Sequence, residues 1–170
     1  MRAASSSLTL DTVNTTFDRN FSFTQGSLFI DNDVQVTGTS QFAYSSLQPM
    51  YIEPFSKLHF DIGTTFSYSP GVSGPHTSAQ RNLVNLIDRT SQLYFDNCTI
   101  NVPDYGIQLT RGTILFDNRI VINGNTANLD TAHSFQLGDG TSVDNDVEIK
   151  VLGEANAIMN GYMYHNPATP

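Results

Sequence analysis

One short frame recurs along the whole chain of 170 residues: an apolar residue, any residue, a second apolar residue and then aspartate. Counting two weaker copies, it occurs six times, and its aspartates are separated by 20, 30, 35, 21 and 27 residues. A repeat of this length cannot bury an apolar face alone, so its copies must stack on one another. The unequal spacing favours a solenoid, in which each copy returns to one stacking position while its loops vary in length. The aspartates are Asp11, Asp31, Asp61, Asp96, Asp117 and Asp144.

Apolar and polar residues alternate between these frames, as is typical of strands with one buried face. The pattern is clear at Phe21 and Phe23, at Val34 and Val36, and it favours a strand over a helix for residues 83–87. Glycines beside Asn, Asp, Ser or Thr separate the strands and indicate chain reversals. We therefore predict an all-β fold, a right-handed parallel β-helix (β-solenoid) of about six coils.

Aspartates of the frame, together with the asparagines that follow Asp31, Asp96 and Asp117, form the first candidate site. Both residue types tolerate left-handed backbone angles and bond their own main chain, so they suit corners where the strand direction changes. Copies at one corner would stack into a ladder. The predicted ladder contains Asp31, Asp61, Asp96, Asp117, Asn32, Asn97 and Asn118.

The charge balance excludes several classes of partner. The chain has 8 Lys and Arg against 16 Asp and Glu, a formal net charge of -8, which would repel a nucleic acid backbone. No apolar run approaches the ~18 residues of a membrane span, so we predict no membrane insertion. Cys98 is the only cysteine, which rules out a disulfide within the chain, and we interpret it as a small core residue.

Residue patterns that carry chemistry are scarce. Residues 139–148 hold four acids, but without the spacing of a calcium-binding EF-hand loop. The four histidines lack metal-ligand spacing, and no nucleophile elbow or phosphate-binding glycine loop is present. Lys57, Lys150 and the six arginines form no cluster along the sequence. We predict no catalytic residue, no metal, no cofactor and no enzymatic activity.

A carbohydrate-active β-helix of the lyase or glycosidase type stays open as an alternative. An aspartate column on an outer face would place carboxyl groups ~5 to 9.5 Å apart, the separation used in glycoside hydrolysis. Turn geometry explains a residue repeated at a corner more simply, because catalysis requires one distinctive pair. Tyrosines set among polar residues are candidate contacts for sugar rings or a protein partner. These are Tyr44, Tyr51, Tyr94 and Tyr105.

Four stretches resemble a known group of surface proteins: residues 41–46, 56–61, 64–68 and 135–142. They are similar to segments of the long, repetitive, Ser/Thr/Asn-rich parallel β-helix surface proteins of host-associated bacteria, which are adhesin-like or autotransporter-passenger-like. The similarity extends over most of residues 20–165. It implies an extracellular or cell-surface fibre, and it transfers no chemistry to individual residues.

The organisation predicted from these patterns is one solenoid segment, residues 1–165, followed by a tail or linker, residues 166–170. Solenoids end in polar capping repeats, yet Leu8 and Tyr162 to Tyr164 are apolar near the two ends. Either the chain is a section of a longer repetitive protein, or its ends meet other copies. We expect a non-enzymatic structural or adhesive segment of a bacterial surface or secreted fibre that forms a homo-oligomer or filament and contacts a host protein or glycan.

Overall fold

The computed structural model describes residues 6–71, 77–141 and 147–167. Strands make up 53% of it, and helix is almost absent. Two single-turn 3-10 helices, Ser78–Gln80 and Thr131–His133, lie in loops of the described chain. The all-β part of the prediction is confirmed. None of the described helices is long and apolar enough to cross a membrane.

The described strands are short, and each begins or ends at a polar turn. In chain order they are β1 (Ser7–Thr16), β2 (Phe21–Phe23), β3 (Ser27–Thr37), β4 (Gln41–Tyr44), β5 (Met50–Ile52), β6 (Lys57–Phe60), β7 (Thr65–Tyr68), β8 (Val84–Leu86), β9 (Gln92–Asp96), β10 (Thr99–Asn101), β11 (Ile107–Leu109), β12 (Gly112–Asp117), β13 (Arg119–Asn123), β14 (Phe135–Leu137), β15 (Val147–Val151), β16 (Asn156–Asn160) and β17 (Met163–His165).

These strands form three parallel sheets. The central sheet has eight strands in the order β15-β12-β9-β6-β3-β5-β8, with β1 also paired to β3. The second sheet is β16-β13-β10-β7-β4-β2, and the third is β11-β14-β17. From β9 to β17 the chain visits the central, second and third sheets in turn, three times over. Neighbours in a sheet are therefore separated in sequence by the intervening strands, as parallel pairing requires.

Residues of like character stack across the sheets in rows. The register of the central sheet aligns Phe60 with Phe95 and Phe95 with Phe116, and these side chains are buried. The neighbouring row runs through Leu58, Leu93 and Ile114. Such rows fill the interior between the sheets, and the apolar area that they remove from water is the main stabilising contribution.

Two buried tyrosines tie loops to this interior. Tyr44 and Tyr68 stack with ring centroids 6.3 Å apart, and both are fully buried. Their hydroxyls donate to the main-chain carbonyls of Gln48 and Gln80, so the buried phenols are hydrogen bonded. Burial raises the pKa of both phenols well above the ordinary tyrosine value. These tyrosines therefore act as structural anchors.

Two local predictions can be compared directly with the structure. Residues 83–87 contain a strand, Val84–Leu86, as predicted. Just beyond the predicted boundary at residue 165, the Asn166 amide donates to the Leu137 carbonyl at 2.8 Å and its carbonyl accepts from the Gly140 amide at 3.0 Å. Main-chain pairing thus continues through Asn166, and residues 168–170 of the predicted tail lie outside the described residues.

Candidate functional site: the outer face of the central sheet

The outer face of the central sheet carries the densest set of polar side chains. Because successive residues of a strand point to opposite faces, the residues that alternate with the buried rows form parallel polar rows on the outside. One row is Asp33, Lys57, Gln92, Thr113 and Glu148. The next row is Asn14, Gln35, His59, Tyr94, Leu115 and Lys150.

Three predicted ladder aspartates lie along one edge of this face. Asp96 and Asp117 are register partners on β9 and β12, and Asp61 follows β6 directly. The Asp61 and Asp117 carboxylates accept from the next backbone amide, at 2.7 Å from Ile62 and 2.9 Å from Asn118. Such bonds to the adjoining main chain are what a corner residue makes, so these carboxylates have a structural role at the turn.

Asp31 and Asn32 do not belong to that ladder. Asp31 is the register partner of Asp11, and it lies where β3 bends between its two halves. The expectation of one common column was wrong because the same apolar-x-apolar-Asp frame occurs at two corners. In the actual register Val34 and Val36 pair with Leu58 and Phe60. The part of β3 that lies beside β6 is therefore the one that follows Asp31, not the one that precedes it.

The two corners nevertheless use the same local chemistry. Asn32, Asn97 and Asn118 have φ values of 56°, 42° and 55°, in the left-handed region that asparagine tolerates. The Asn118 side chain donates to Asp96 at 2.7 Å, and the Asn32 side chain donates to Asp11 at 2.8 Å. An asparagine on one strand thus bonds the aspartate of the neighbouring strand at each corner. The weaker copy at Asp144 lies outside the described residues.

A stacked histidine and tyrosine occupy the middle of the face. The rings of His59 and Tyr94 are nearly parallel, 9° apart, with centroids separated by 4.1 Å. Burial lowers the pKa of His59, with Asp61 opposing the shift, so a neutral imidazole is favoured at pH 7. Burial, followed by the 2.9 Å hydrogen bond from its hydroxyl to Asp117, raises the pKa of Tyr94 to about 12.

One group on this face has donor atoms suited to a divalent cation. The ligand atoms of His59, Asp61 and Asp96 lie within 4.8 Å of one another. Nε2 of His59 is buried and has no hydrogen-bond partner within the described chain. Asp61 also accepts from the Gln35 side chain at 2.9 Å, and Asp96 accepts from Asn118, so both carboxylates already serve the protein itself.

The four candidate contact tyrosines occupy different environments. Tyr44 is fully buried, so its predicted contact with a glycan or protein partner was wrong: alternation places it on the inner face of β4. Tyr51 and Tyr105 are half-buried and stack on Phe29 at 5.1 Å and on His133 at 4.6 Å. Only Tyr94 of the four belongs to the two polar rows described above, although Tyr51, between the buried Met50 and Ile52 on β5, also faces outward from the central sheet.

A groove at the opposite edge of the face was missed by sequence reasoning. It has a volume of about 610 Å³, and Phe55, Lys57, Arg89, Glu148 and Lys150 are among the residues that line it. The three basic residues lie 32 and 61 positions apart in sequence, counting from Lys57 to Arg89 and from Arg89 to Lys150. These residues form no cluster along the sequence, but in the structure they line one groove. Strand register places Lys57 and Lys150 on the same face, and Arg89 reaches it from the loop before β9. No local sequence pattern indicates this groove.

An asparagine ladder on the second sheet was also missed. The Asn123 side chain donates to Asn101 at 2.9 Å, and the Asn160 side chain donates to Asn123 at 2.9 Å. Each of these asparagines ends its strand, β10, β13 or β16. The similar segments Thr99–Asn101 and 121–123, with isoleucine before asparagine, were the available signal.

Cys98 lies in the core, as interpreted from the sequence. It is buried, and burial raises the pKa of its thiol to about 12. A thiol with such a pKa is protonated at neutral pH and is a poor nucleophile.

Comparison of the chain with protein-family models, with curated proteins and with solved structures found no match.

Proposed function

We propose that the chain is a right-handed parallel β-helix of about six coils, and that it serves as a non-enzymatic structural or adhesive segment of a bacterial surface or secreted fibre. Its regular passage from the central to the second to the third sheet supports a helical path. Right-handedness follows from the strong preference of crossovers between parallel strands. The proposed activity is self-association, end to end, into a homo-oligomer or filament.

The observation that carries the proposal is the exposure of interior rows at both ends of the stack. Ile149 and Val151 continue the rows that Ile114 and Phe116 occupy one strand earlier, where they are buried. On β15 the same row positions are 36% and 59% exposed. At the other end Leu8, the register partner of the buried Leu28, is 40% exposed.

A second copy is the occupant that matches both ends. At both ends apolar rows of the central sheet are exposed, so one end of a copy can cover the other end of the next copy with these rows in register. In the described chain β1 pairs only with β3, and β15 pairs only with β12. Edge strands of this kind offer main-chain donors and acceptors to another chain. A head-to-tail contact that does not close on itself produces a filament.

Self-association is tested by sedimentation velocity over a wide concentration range. We expect species heavier than the 18.7 kDa monomer whose fraction rises with concentration. Val151→Lys places a charge at the exposed end of an interior row, and we expect it to weaken association by about tenfold or more, since lysine on an edge strand opposes pairing.

Leu129→Lys is the matched control. Leu129 is 63% exposed and lies in a loop, so the same substitution there changes surface hydrophobicity and charge equally but leaves the ends intact. We expect no change in its association. A purely monomeric wild-type protein at all concentrations, or equal weakening by both variants, would contradict the proposal.

A carbohydrate-cleaving β-helix is the second candidate, because the Asp61 and Asp96 carboxylates lie within 4.8 Å of each other. This spacing is near that of retaining glycosidases, roughly 5 Å. Release of reducing or unsaturated ends from a polysaccharide, abolished by Asp61→Asn, would replace the non-enzymatic proposal with this one.

A further inference from the structure

The groove at the edge of the central sheet concentrates positive charge in an acidic protein. Lys57, Arg89 and Lys150 are three of only eight basic residues in a chain whose net charge is -8. Clustered cations inside an otherwise negative field create a local potential that selects anions at that place and repels them elsewhere. The lining holds three cations against two carboxylates, Asp33 and Glu148, so the groove carries a net positive charge in an acidic chain and suits a negatively charged ligand.

Phe55 gives the groove a flat apolar wall. Its side chain is 84% exposed, and its backbone φ is +60°, a conformation that bulky residues rarely adopt. Strain of this kind persists where the surrounding structure enforces it, often at ligand-binding positions. Here the Phe55 amide donates to Oγ1 of Thr90 at 2.8 Å, and Thr90 donates in turn to Asp88 at 2.5 Å. The neighbouring loop thus fixes the backbone of Phe55, and the ring projects into solvent beside the groove.

Two carboxylates position the lysines without filling the groove. Nζ of Lys57 lies 3.2 Å from Asp33, and Nζ of Lys150 lies 3.1 Å from Glu148. Each ammonium has three donors, so each keeps donors for a further acceptor. Nζ of Lys57 also lies over the ring of Tyr94, 5.9 Å from its centre, which is a cation–π arrangement.

We propose that this groove binds an acidic polysaccharide, a chain of sugar rings that carry carboxylates. The lysines and Arg89 would bind the carboxylates, and one sugar ring would pack its apolar face against Phe55. A polyanion without rings uses the cations but makes no use of the exposed aromatic side chain beside them, so the saccharide fits both features. The binding is non-covalent and requires no bond cleavage.

This inference deepens the adhesive part of the proposed function by naming a ligand class. The groove lies on the outer flank of the sheets: Glu148 and Lys150 belong to the end strand β15, but they alternate with the end-row residues Ile149 and Val151 and so point to the outer face. A monomer that cannot self-associate is therefore expected to bind, and the two proposals fail independently.

The test is calorimetric titration with oligogalacturonate, with neutral malto-oligosaccharide and oligoglutamate of equal length as comparisons. Measurements use the full chain and a Leu8→Lys variant, which places the charge on the exposed row at the end opposite to β15, so that binding is recorded with and without self-association and without a new cation beside Lys150. We expect oligogalacturonate to bind more than tenfold tighter than either comparison ligand. Affinity should fall with rising salt, because the exposed charges are screened.

Phe55→Ala and Lys57→Gln distinguish the two features of the groove. We expect Phe55→Ala to weaken oligogalacturonate binding at least tenfold with little effect on salt dependence. Lys57→Gln should weaken binding several-fold and reduce the salt dependence. Leu129→Ala, which removes an exposed apolar side chain elsewhere, is the control and should bind as the wild type does. Equal affinity for oligoglutamate, unchanged binding by Phe55→Ala, or no binding at millimolar ligand would overturn the proposal.

Discussion

We expect Phe60→Ala to lower the free energy of unfolding by about 3–5 kcal/mol, the usual cost of removing a large buried aromatic side chain. Phe60 is fully buried at the centre of an aromatic cluster. Its ring centroid lies 4.9 Å from Phe66, 5.5 Å from Phe95 and 5.6 Å from Phe42. Because these neighbours belong to two different sheets, the cavity would weaken the contact between the sheets as well as the row itself.

Urea denaturation followed by circular dichroism measures this loss. Phe55→Ala is the matched control, since it deletes the same side chain from a position that is 84% exposed, and we expect it to change stability by less than about 1 kcal/mol. Equal destabilisation by the two variants would contradict the assignment of Phe60 to the interior. The same control protein serves in the saccharide titration, where it must be folded to be informative.

The second large effect is expected for Gly106→Ala. Gly106 has φ of +67°, and an added Cβ would overlap the carbonyl oxygen of Ser134. That oxygen accepts from the Ile107 amide at 3.2 Å and from the Arg81 guanidinium at 3.2 Å. Moving it would break both bonds in a buried place. Backbone strain and overpacking each cost about 1–3 kcal/mol, so we expect a total loss of roughly 2–5 kcal/mol.

Gly153→Ala separates the two contributions. Gly153 also has a positive φ, +54°, but no atom lies within 4 Å of an added Cβ. It should therefore show only the cost of the backbone conformation, about 1–2 kcal/mol. Thermal denaturation of the two variants beside the wild type provides the comparison. A Gly106→Ala protein no less stable than Gly153→Ala would contradict the close approach of these two segments.

Much of the secondary structure could be predicted from the sequence because it depends on local alternation. Phe21 and Phe23, or Val34 and Val36, show period two over a few residues, and the strands lie there. The left-handed angles of Asn97 and Asn118 likewise follow from the residue type and its place after aspartate. These features depend on neighbours in the chain, so one sequence suffices to find them.

The alignment of the repeats could not be predicted in the same way. Leu28 to Asp31 and Leu58 to Asp61 fit one frame equally well, yet the register pairs β6 with Val34 and Val36 instead. The misalignment has a physical cause, because a short apolar pair followed by aspartate suits any corner of a stack. In addition, β3 is long enough for its first part to pair with β5 and its second part with β6. Which corner a copy occupies depends on the whole path of the chain.

The groove depended on the same long-range information. Lys57 and Lys150 lie on β6 and β15, which are separated by β9 and β12 in the central sheet. Arg89 comes from the loop before β9. These charges lie on one edge only because of the strand register of the central sheet and the position of the loop before β9. In the sequence alone the basic residues are scattered.

The central claim is that strands distant in sequence lie in parallel register in the central sheet. Spin labels at Asn14 and Lys150, in a Cys98→Ala background, test it by pulsed electron-electron distance measurement. The register places these two exposed residues in one row, five strand spacings apart. The account predicts a narrow distribution centred near ~24 Å, and one about 5 Å shorter for labels at Gln35 and Lys150. Broad distributions, or mean separations beyond about 35 Å, would contradict it.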